Sequence, residues 1–300
     1  MKEERTLIRA ATVRERLREC RSLTVAARML CVLMVSCSPA PPKPEAAPAE
    51  TPPPVQETVS YLDADKNVRG YLCRPAGVGP YLAVLLIHDR MGLTDAIKDA
   101  AFRLARQDYV VLAVDLYRGE RPGRELVKER VVADLKAAAD YLCQREDVQP
   151  EQQVGEKKRL HVLGGVGLGI GGSYALEAAL RDPRLRALAL CYCSLPTDAK
   201  QLATLEASVF AIFAGKDKSV PSETIAQFTQ AMNEAGKQLY GVRVYGECPH
   251  GFLDPADWPT YGKPPESAGV DPVTEAWDLI VHFLDSYDVI LRQRDPGRDR

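Results

Sequence analysis

Short apolar runs alternate with segments of helical spacing from residue 57 to about residue 292, and this alternation constrains the fold more than any other feature of the chain. The runs YLAVLLIHD (81–89) and YVVLAVDLY (109–117) are continuously apolar, which is typical of strands buried on both faces. Residues 94–107, between them, carry apolar side chains at helical spacing. Such an alternation predicts an α/β fold, a mostly parallel twisted sheet with helices on both faces.

The alternation continues after residue 117, and a hairpin precedes it. The stretch ETVSYLDADKNVRGYLCRP (57–75) predicts two antiparallel strands that turn at 63–67 and lie at one edge of the sheet. Further strands are predicted at 159–166, 186–193, 208–214 and 238–246. Further helices are predicted at 125–144, 172–182, 197–206, 222–236 and 273–292. Ligands bind such sheets beyond the carboxyl ends of the strands, so we expect functional residues there.

The chain before this domain has a different composition. Residues 1–36 hold eight basic and four acidic side chains, so the remainder has a net charge of −6 although the whole chain has −2. Eight of the 22 prolines fall within residues 39–54, which lack the apolar side chains needed for a core. We therefore predict a leader, a Pro/Ala-rich disordered tether, one α/β domain and a disordered tail, at residues 1–37, 38–56, 57–293 and 294–300.

The leader has the pattern of an export signal. Seven arginines are followed by the short apolar stretch MLCVLMV (29–35), then by Ser36 and Cys37. The ending LMVSC resembles a bacterial lipoprotein signal, which implies that Cys37 is lipidated and that the protein is anchored in a cell-envelope membrane. A cytoplasmic extension, disordered or helical, is the alternative. The proline-rich tether fits a domain held away from a membrane surface.

Composition excludes several classes of protein. A net charge of −2 is unlike the basic excess of a nucleic-acid-binding chain. The sequence contains no run of about 18 apolar residues, which a polytopic membrane protein requires. The cysteines beyond the leader are odd in number and irregularly spaced, so they predict neither a disulfide framework nor a metal site. We expect no metal and no cofactor. These cysteines are Cys73, Cys143, Cys191, Cys193 and Cys248.

The stretch RLHVLGGVGLGIGGSYALEAAL (159–180) passes from strand to helix through six glycines in nine positions. Its GLGIGG (167–172) fits the dinucleotide pattern GxGxxG, but no acidic residue ends the next strand to bind a ribose. A phosphate-binding P-loop lacks its lysine before Ser173. A third interpretation is a nucleophile elbow, a sharp turn that presents one side chain at the sheet edge, here at position 169.

Residues further along the chain favour the elbow. Asp217 follows a strand in FAIFAGKDKSVP, and His250 follows the last strand in VYGECPHGFLDP. Nucleophile, acid and histidine in this order are typical of α/β-hydrolases, and loops after neighbouring strands bring the last two together.

At these residues the domain resembles the dienelactone hydrolase family of α/β-hydrolases, over about residues 57 to 290. LLIHDRMGLTDAIKDAAFRLARQDYVVLAVDLYRG resembles that family's oxyanion loop and the strand after it, and FAGKDKSVP and PHGF resemble its acid and histidine signatures. The resemblance implies a catalytic pair, Asp217 and His250. It also implies an oxyanion hole from the backbone N–H groups of Arg90 and Ile170, with Asp89 and His88 lining the pocket.

Two residues depart from the family pattern. Gly169 stands where the family has its nucleophilic cysteine, and glycine cannot form an acyl-enzyme. Glycine does relieve the strained backbone that an elbow imposes on its central residue. Asp89 stands where the family usually has glutamate, so its contacts must be shorter by one methylene. A water activated by His250 in the space left at Gly169 is a conceivable nucleophile, and Gly169→Cys is expected to gain activity that depends on His250.

Other nucleophiles and bases are weaker candidates. Cys248, Cys191 and Cys193 are expected to pack in the interior rather than to replace the missing nucleophile. His161 and His282 are expected to be structural.

The resemblance implies a hydrolase that acts on small ester or lactone bonds, weak or inactive because of Gly169. The alternative is a non-catalytic hydrolase-like module that binds a ligand or a protein. A dinucleotide-binding protein is a remote alternative.

Overall fold

The computed structural model describes residues 52–62, 68–154, 158–265 and 271–294, which all belong to one compact unit, Thr51–Arg300. The leader, nearly all of the tether, the hairpin turn at 63–67 and all but the start of the tail lie outside these residues. The first strand begins at Val55, just ahead of the predicted domain start.

An eight-stranded sheet forms the centre of the domain, in the order β1-β2-β4-β3-β7-β8-β9-β10. β1 is antiparallel to β2 and β2 to β4, whereas the pairs from β4 to β10 are parallel. The predicted α/β-hydrolase fold, with its antiparallel leading strands, is therefore confirmed. The strands are β1 Val55–Ser60, β2 Arg69–Arg74, β3 Leu82–Ile87, β4 Tyr109–Val114, β7 Leu163–Leu168, β8 Leu185–Cys191, β9 Ser208–Ala214 and β10 Leu239–Tyr245.

Helices cover both faces of this sheet. α1 and α6 share one apolar core with the sheet, while α2, α3 and α4 share the other. Consecutive residues of β3 alternate between the two cores, as the two-residue period of a strand requires. The helices are α1 Asp95–Ala105, α2 Lys128–Cys143, α3 Ile170–Ala179, α4 Ser222–Glu234, α5 Trp258–Tyr261 and α6 Pro272–Arg294.

Three elements differ from the prediction. The predicted strand 159–166 divides: β6 (Lys158–Leu160) pairs with β5 (Gln152–Val154) in a separate two-stranded sheet, and only β7 enters the main sheet. The predicted helix 197–206 is a short 3-10 turn, Ala199–Leu202. α5 was not predicted, because four residues are too few to show helical periodicity.

The parallel strands place four loops at one edge of the sheet. These loops follow β3, β7, β9 and β10, and they carry Asp89, Gly169, Asp217 and His250 respectively. No helix among the described residues is long and apolar enough to cross a membrane.

Candidate active site

The turn between β7 and α3 has the backbone of a nucleophile elbow. Gly169 directly precedes α3, with φ 50° and ψ −121°, a conformation that residues with a side chain rarely adopt. Its N–H donates to the carbonyl of Cys191 on the neighbouring strand, at 2.9 Å. Ser173 lies inside the helix, so it cannot replace the residue at the centre of the turn.

The carboxylate of Asp89 occupies the volume into which a side chain at position 169 would project. A Cβ atom built on Gly169 would lie 2.1 Å from Asp89 Cγ and 2.1 and 2.2 Å from its two oxygens. No activated water fits there while this carboxylate remains, so the expectation of a water in that space is wrong. Gly169 and the shorter Asp89 are separate departures in the sequence, and their occurrence in one chain is the signal that could have indicated this contact.

The two backbone N–H groups implied as an oxyanion hole converge on one oxygen of Asp89. Arg90 N donates to Oδ1 at 2.7 Å, and Ile170 N donates to the same atom at 3.0 Å. Charge-assisted bonds of this length are among the stronger hydrogen bonds in proteins. The two N–H groups thus converge as an oxyanion hole would require, and a carboxylate of the protein itself accepts from both.

His250 lies between two carboxylates. Its Nδ1 is 2.7 Å from Asp217 Oδ2, and its Nε2 is 3.3 Å from Asp89 Oδ2. The other oxygen of Asp217 accepts from the N–H and the hydroxyl of Ser219, at 2.7 and 2.5 Å. Asp89, His250 and Asp217 thus form a continuous chain of contacts in which the imidazole lies between the two carboxylates.

The charges of this chain shift its titration. Burial lowers the pKa of His250, but the contacts with Asp217 and Asp89 outweigh burial and raise its pKa to about 9. Burial raises the pKa of Asp89, yet the groups of His250, Ile170 and Arg90 that face it hold its pKa below the usual value. At neutral pH the centre therefore consists of an imidazolium between two carboxylates.

His88 does not line a pocket. Its side chain is fully buried, and its ring stacks on that of Tyr117, with centroids 5.5 Å apart. Nε2 accepts from the N–H of Leu116 at 3.1 Å, so the proton is on Nδ1, which donates to the carbonyl of Asp89 at 2.7 Å. His88 therefore stabilises the Asp89 loop from within the protein interior. The prediction that its side chain lines the pocket is wrong.

Aromatic and acidic residues that the sequence did not single out surround the centre. The ring of Tyr192, a buried residue with φ 38°, contacts that of His250 edge-on, and so does the ring of Tyr261 in α5. The guanidinium of Arg90 lies over the Tyr261 ring, 4.7 Å from its centroid. Asp257 is buried beside Arg90, and burial together with the charge of Asp89 raises its pKa to about 6.

Three polar atoms in these surroundings are buried and have no hydrogen-bond partner in the described part of the chain: Asp89 Oδ2, the Tyr192 hydroxyl and Asp257 Oδ2. An unpartnered buried polar atom calls for an explanation, and a functional role is a common one. Asp89 was predicted at the site, but neither Tyr192 nor Asp257 stands in a sequence pattern that marks it for such a place.

The remaining candidates lie where they cannot replace the nucleophile. Cys191, Cys193 and Cys248 are buried free thiols, and burial raises the pKa of Cys193 to about 12 and that of Cys248 to about 11. His161 contacts the carbonyl of Gln149, and His282 lies on an exposed position of α6. Within the described ranges no cluster of three potential ligands is arranged to hold a metal ion.

The glycines of the turn serve close packing. A Cβ atom on Gly171 would lie 2.4 Å from the carbonyl oxygens of Ile87 and His88, so α3 packs closely against the end of β3.

The dinucleotide-binding alternative lacks its acidic residue. The strand after the turn ends at Cys191, followed by Tyr192 and Cys193, so the acidic residue required for a dinucleotide is absent from this position.

Comparisons with known proteins show which family this chain resembles. The sequence model of the dienelactone hydrolase family matches residues 68–287. The "Putative carboxymethylenebutenolidase" of Methylorubrum extorquens is 27% identical over 239 residues, which cover 75% of this chain and 79% of the relative. A Bradyrhizobium protein named "Probable 2-oxo-3-(5-oxofuran-2-ylidene)propanoate lactonase" is 29% identical over 223 residues, covering 65% of this chain and 85% of that one.

A solved structure has the same fold. The dienelactone hydrolase-like promiscuous phosphotriesterase from metagenomic libraries superposes with a TM-score of 0.64 at 20% identity, over 78% of this chain and 99% of that one.

Proposed function

Because the chain belongs to the dienelactone hydrolase family, we propose that it is a hydrolase of small ester or lactone bonds whose acyl-transfer activity at neutral pH is weak or absent. One observation supports this most strongly: the Asp89 carboxylate occupies the nucleophile position and accepts hydrogen bonds from both donors of the oxyanion hole. The relatives named as a carboxymethylenebutenolidase and a lactonase support the substrate class.

The occupied oxyanion hole is the first reason to expect weak activity. A substrate carbonyl oxygen gains its stabilisation only after it displaces Asp89 Oδ1 from the N–H groups of Arg90 and Ile170. Hydrogen bonds to a charged acceptor contribute about 1.5–3 kcal/mol each, so the displacement is costly. Losing a single donor of such a hole lowers kcat by about 10²–10³-fold in a well-studied protease.

The histidine adds a second barrier. A general base must be unprotonated to accept a proton, and the pKa of His250 is raised to about 9. At neutral pH most of the protein therefore carries a protonated His250. Residual ester hydrolysis is expected to increase as the pH rises towards 9.

The test is hydrolysis of p-nitrophenyl acetate and of a dienelactone by the full chain, beside His250→Gln. We expect wild type to stay near the buffer rate at neutral pH and to exceed His250→Gln only at alkaline pH. Strong turnover at neutral pH, together with covalent labelling by an acyl probe, would contradict the proposal.

A non-catalytic ligand- or protein-binding module is the second candidate. The complete ion pairing of His250 favours it, because a paired imidazolium holds the site in one arrangement. Equal rates for wild type and His250→Gln at every pH would favour this module over a weak hydrolase.

We further propose that the protein works in a bacterial cell envelope, held by a lipid on Cys37. The arginine-rich leader, the short apolar stretch and the proline-rich tether support this location.

A further inference from the structure

We propose that Asp89 is a carboxylate nucleophile that attacks saturated carbon, and that the protein hydrolyses small alkyl halides. This activity is separate from ester hydrolysis and does not depend on it. Carboxylates act as covalent nucleophiles in several enzyme classes. Here the carboxylate reaches the elbow from the loop after β3 rather than from position 169 itself.

The two oxygens of Asp89 have different surroundings. Oδ1 accepts from both N–H groups of the hole, at 2.7 and 3.0 Å. Oδ2 is buried without a hydrogen-bond partner and faces Nε2 of His250 at 3.3 Å. One oxygen is therefore fixed by two hydrogen bonds, whereas the other has only the ion-pair contact with His250 and is the oxygen that can bond to a substrate carbon.

The filled oxyanion hole selects the kind of carbon that can react. Attack on an ester carbonyl creates a negative oxygen on the substrate, which needs the hole that Oδ1 occupies. Attack on saturated carbon creates no such oxygen, because the electron pair leaves with the halide. The arrangement that impairs acyl transfer thus leaves alkyl transfer open.

The first step forms a bond between Oδ2 and the substrate carbon while the carbon–halogen bond breaks. Halide leaves with the bonding electrons, and Asp89 becomes a neutral alkyl ester. Its carbonyl oxygen is Oδ1, which still accepts hydrogen bonds from the N–H groups of Arg90 and Ile170.

The second step hydrolyses this ester at Cγ of Asp89. His250 Nε2 takes a proton from water, the hydroxide adds to Cγ, and the negative charge develops on Oδ1, which already lies in the hole. The bond between Cγ and the alkyl-bearing oxygen then breaks, and the departing oxygen takes the proton from His250. Alcohol, halide and one proton are the net products of alkyl halide and water.

Esterification also prepares His250 for the second step. The groups that face its ring are Asp217, Asp89, Ser219, Tyr192 and Tyr261, with Arg90 and Asp257 behind them. Conversion of Asp89 to an ester removes one of the two carboxylate charges that raise the pKa of His250. The histidine then releases its proton more readily, and Asp217 still orients it.

Access to Asp89 favours a small substrate. Asp89 is 2% exposed, whereas Ile170, whose N–H donates to it, and Tyr261, whose ring contacts His250, are 37% and 39% exposed. A short, uncharged alkyl halide suits this access, because a charged substrate would need a further partner beside the carboxylate. Bromoethane is the probe that we choose.

The decisive experiment is a single turnover of bromoethane by excess full-length protein in water enriched in heavy oxygen. Ester hydrolysis at Cγ places the heavy oxygen in the Asp89 carboxylate, so the peptide that contains Asp89 gains its mass and the ethanol does not. Heavy oxygen in the ethanol and none in Asp89 would overturn the proposal. This measurement uses wild-type protein, so it does not depend on whether a variant folds.

Two variants complete the test. His250→Gln is expected to release about one bromide per protein and to accumulate an ethyl ester on Asp89, while multiple turnover falls by about 10²-fold or more. Asp89→Asn, checked for folding by circular dichroism, is expected to release bromide at the buffer rate. An ethyl group found on a cysteine instead, or equal bromide release by wild type and Asp89→Asn, would overturn the proposal.

Ester assays distinguish this proposal from the proposed function. Failure of bromoethane turnover leaves the ester result untouched, and strong esterase activity leaves the isotope result untouched.

Discussion

Asp89 and Gly169 form a compensating pair at the scale of single residues. Gly169 removes the side chain at the elbow, and the Asp89 carboxylate occupies the volume that this leaves. A buried carboxylate is stable only with partners, and Asp89 has two N–H groups at one oxygen and an imidazolium at the other. The absence of a side chain at Gly169 and the position of the Asp89 carboxylate therefore depend on each other.

The ion pairs of His250 predict how stability depends on pH. Burial lowers the pKa of His250, but Asp217 and Asp89 raise it from 6.5 to about 9. The folded state then binds more protons than the unfolded state between these values. The contribution to the free energy of unfolding is therefore complete below pH 6.5 and is lost as the pH rises through about 9.

Urea denaturation across this pH range measures the effect. We expect the midpoint of wild type to fall from the lower to the upper end of the range, and the midpoint of His250→Gln to fall less. An equal fall of the urea midpoint with pH in the two proteins would contradict the assignment of a raised pKa to His250.

At the scale of elements, periodicity predicted most of the sheet and helices but not the contacts of the site. The buried runs that became β3 and β4 have an unambiguous apolar pattern, and α1 and α2 have a clear helical one. The predicted strand 159–166 was wrong in its bounds, because the sequence does not show that one strand ends at Leu160 and another begins at Leu163. α3 begins at Ile170, ahead of the predicted start, because the turn at Gly169 leads directly into it.

The functional residues show the same division. Asp217 and His250 were predicted to lie close together from their order along the chain and their places after β9 and β10. In the structure His250 Nδ1 lies 2.7 Å from Asp217 Oδ2. Their catalytic role stays a prediction. The position of the Asp89 carboxylate depends on the three-dimensional course of one loop, which neither periodicity nor motif spacing reports.

The packing of α3 against β3 predicts the effect of a methyl group at Gly171. Gly171→Ala places a Cβ 2.4 Å from the carbonyl oxygens of Ile87 and His88, which are backbone atoms with little freedom to move. Overpacking of this kind costs about 1–3 kcal/mol. Gly246→Ala is the matched control, because a Cβ there meets no atom within 4 Å. Thermal or urea denaturation compares them, and equal stability of the two variants would contradict this packing.

At the scale of the whole molecule, the parallel sheet brings residues far apart in sequence to one edge. Asp89, Gly169, Asp217 and His250 follow four different strands, and the site forms only when those strands are in register. The sequence ahead of the domain differs in composition: residues 1–36 are rich in basic side chains, residues 39–54 are rich in proline, and the chain from residue 37 onward has a net charge of −6.

The predicted lipid anchor belongs to this scale. Full-length protein produced in a bacterial host is expected to incorporate labelled palmitate and to sediment with membranes, whereas Cys37→Ala is expected to lose the label. Cys143→Ala is the matched control, because this thiol lies within the folded domain. A soluble, unlabelled wild-type protein would contradict the lipoprotein prediction.

The most direct test of the account is esterase activity of Gly169→Cys with and without Asp89→Ala. The sequence alone predicted that the cysteine would suffice, but a Cβ at position 169 meets the Asp89 carboxylate at 2.1 Å. We expect Gly169→Cys alone to stay near wild type and Gly169→Cys/Asp89→Ala to hydrolyse p-nitrophenyl acetate about 10²-fold faster, because the second change also empties the oxyanion hole. Equal activity of the single and double variants would show that Asp89 does not occupy the place of the nucleophile.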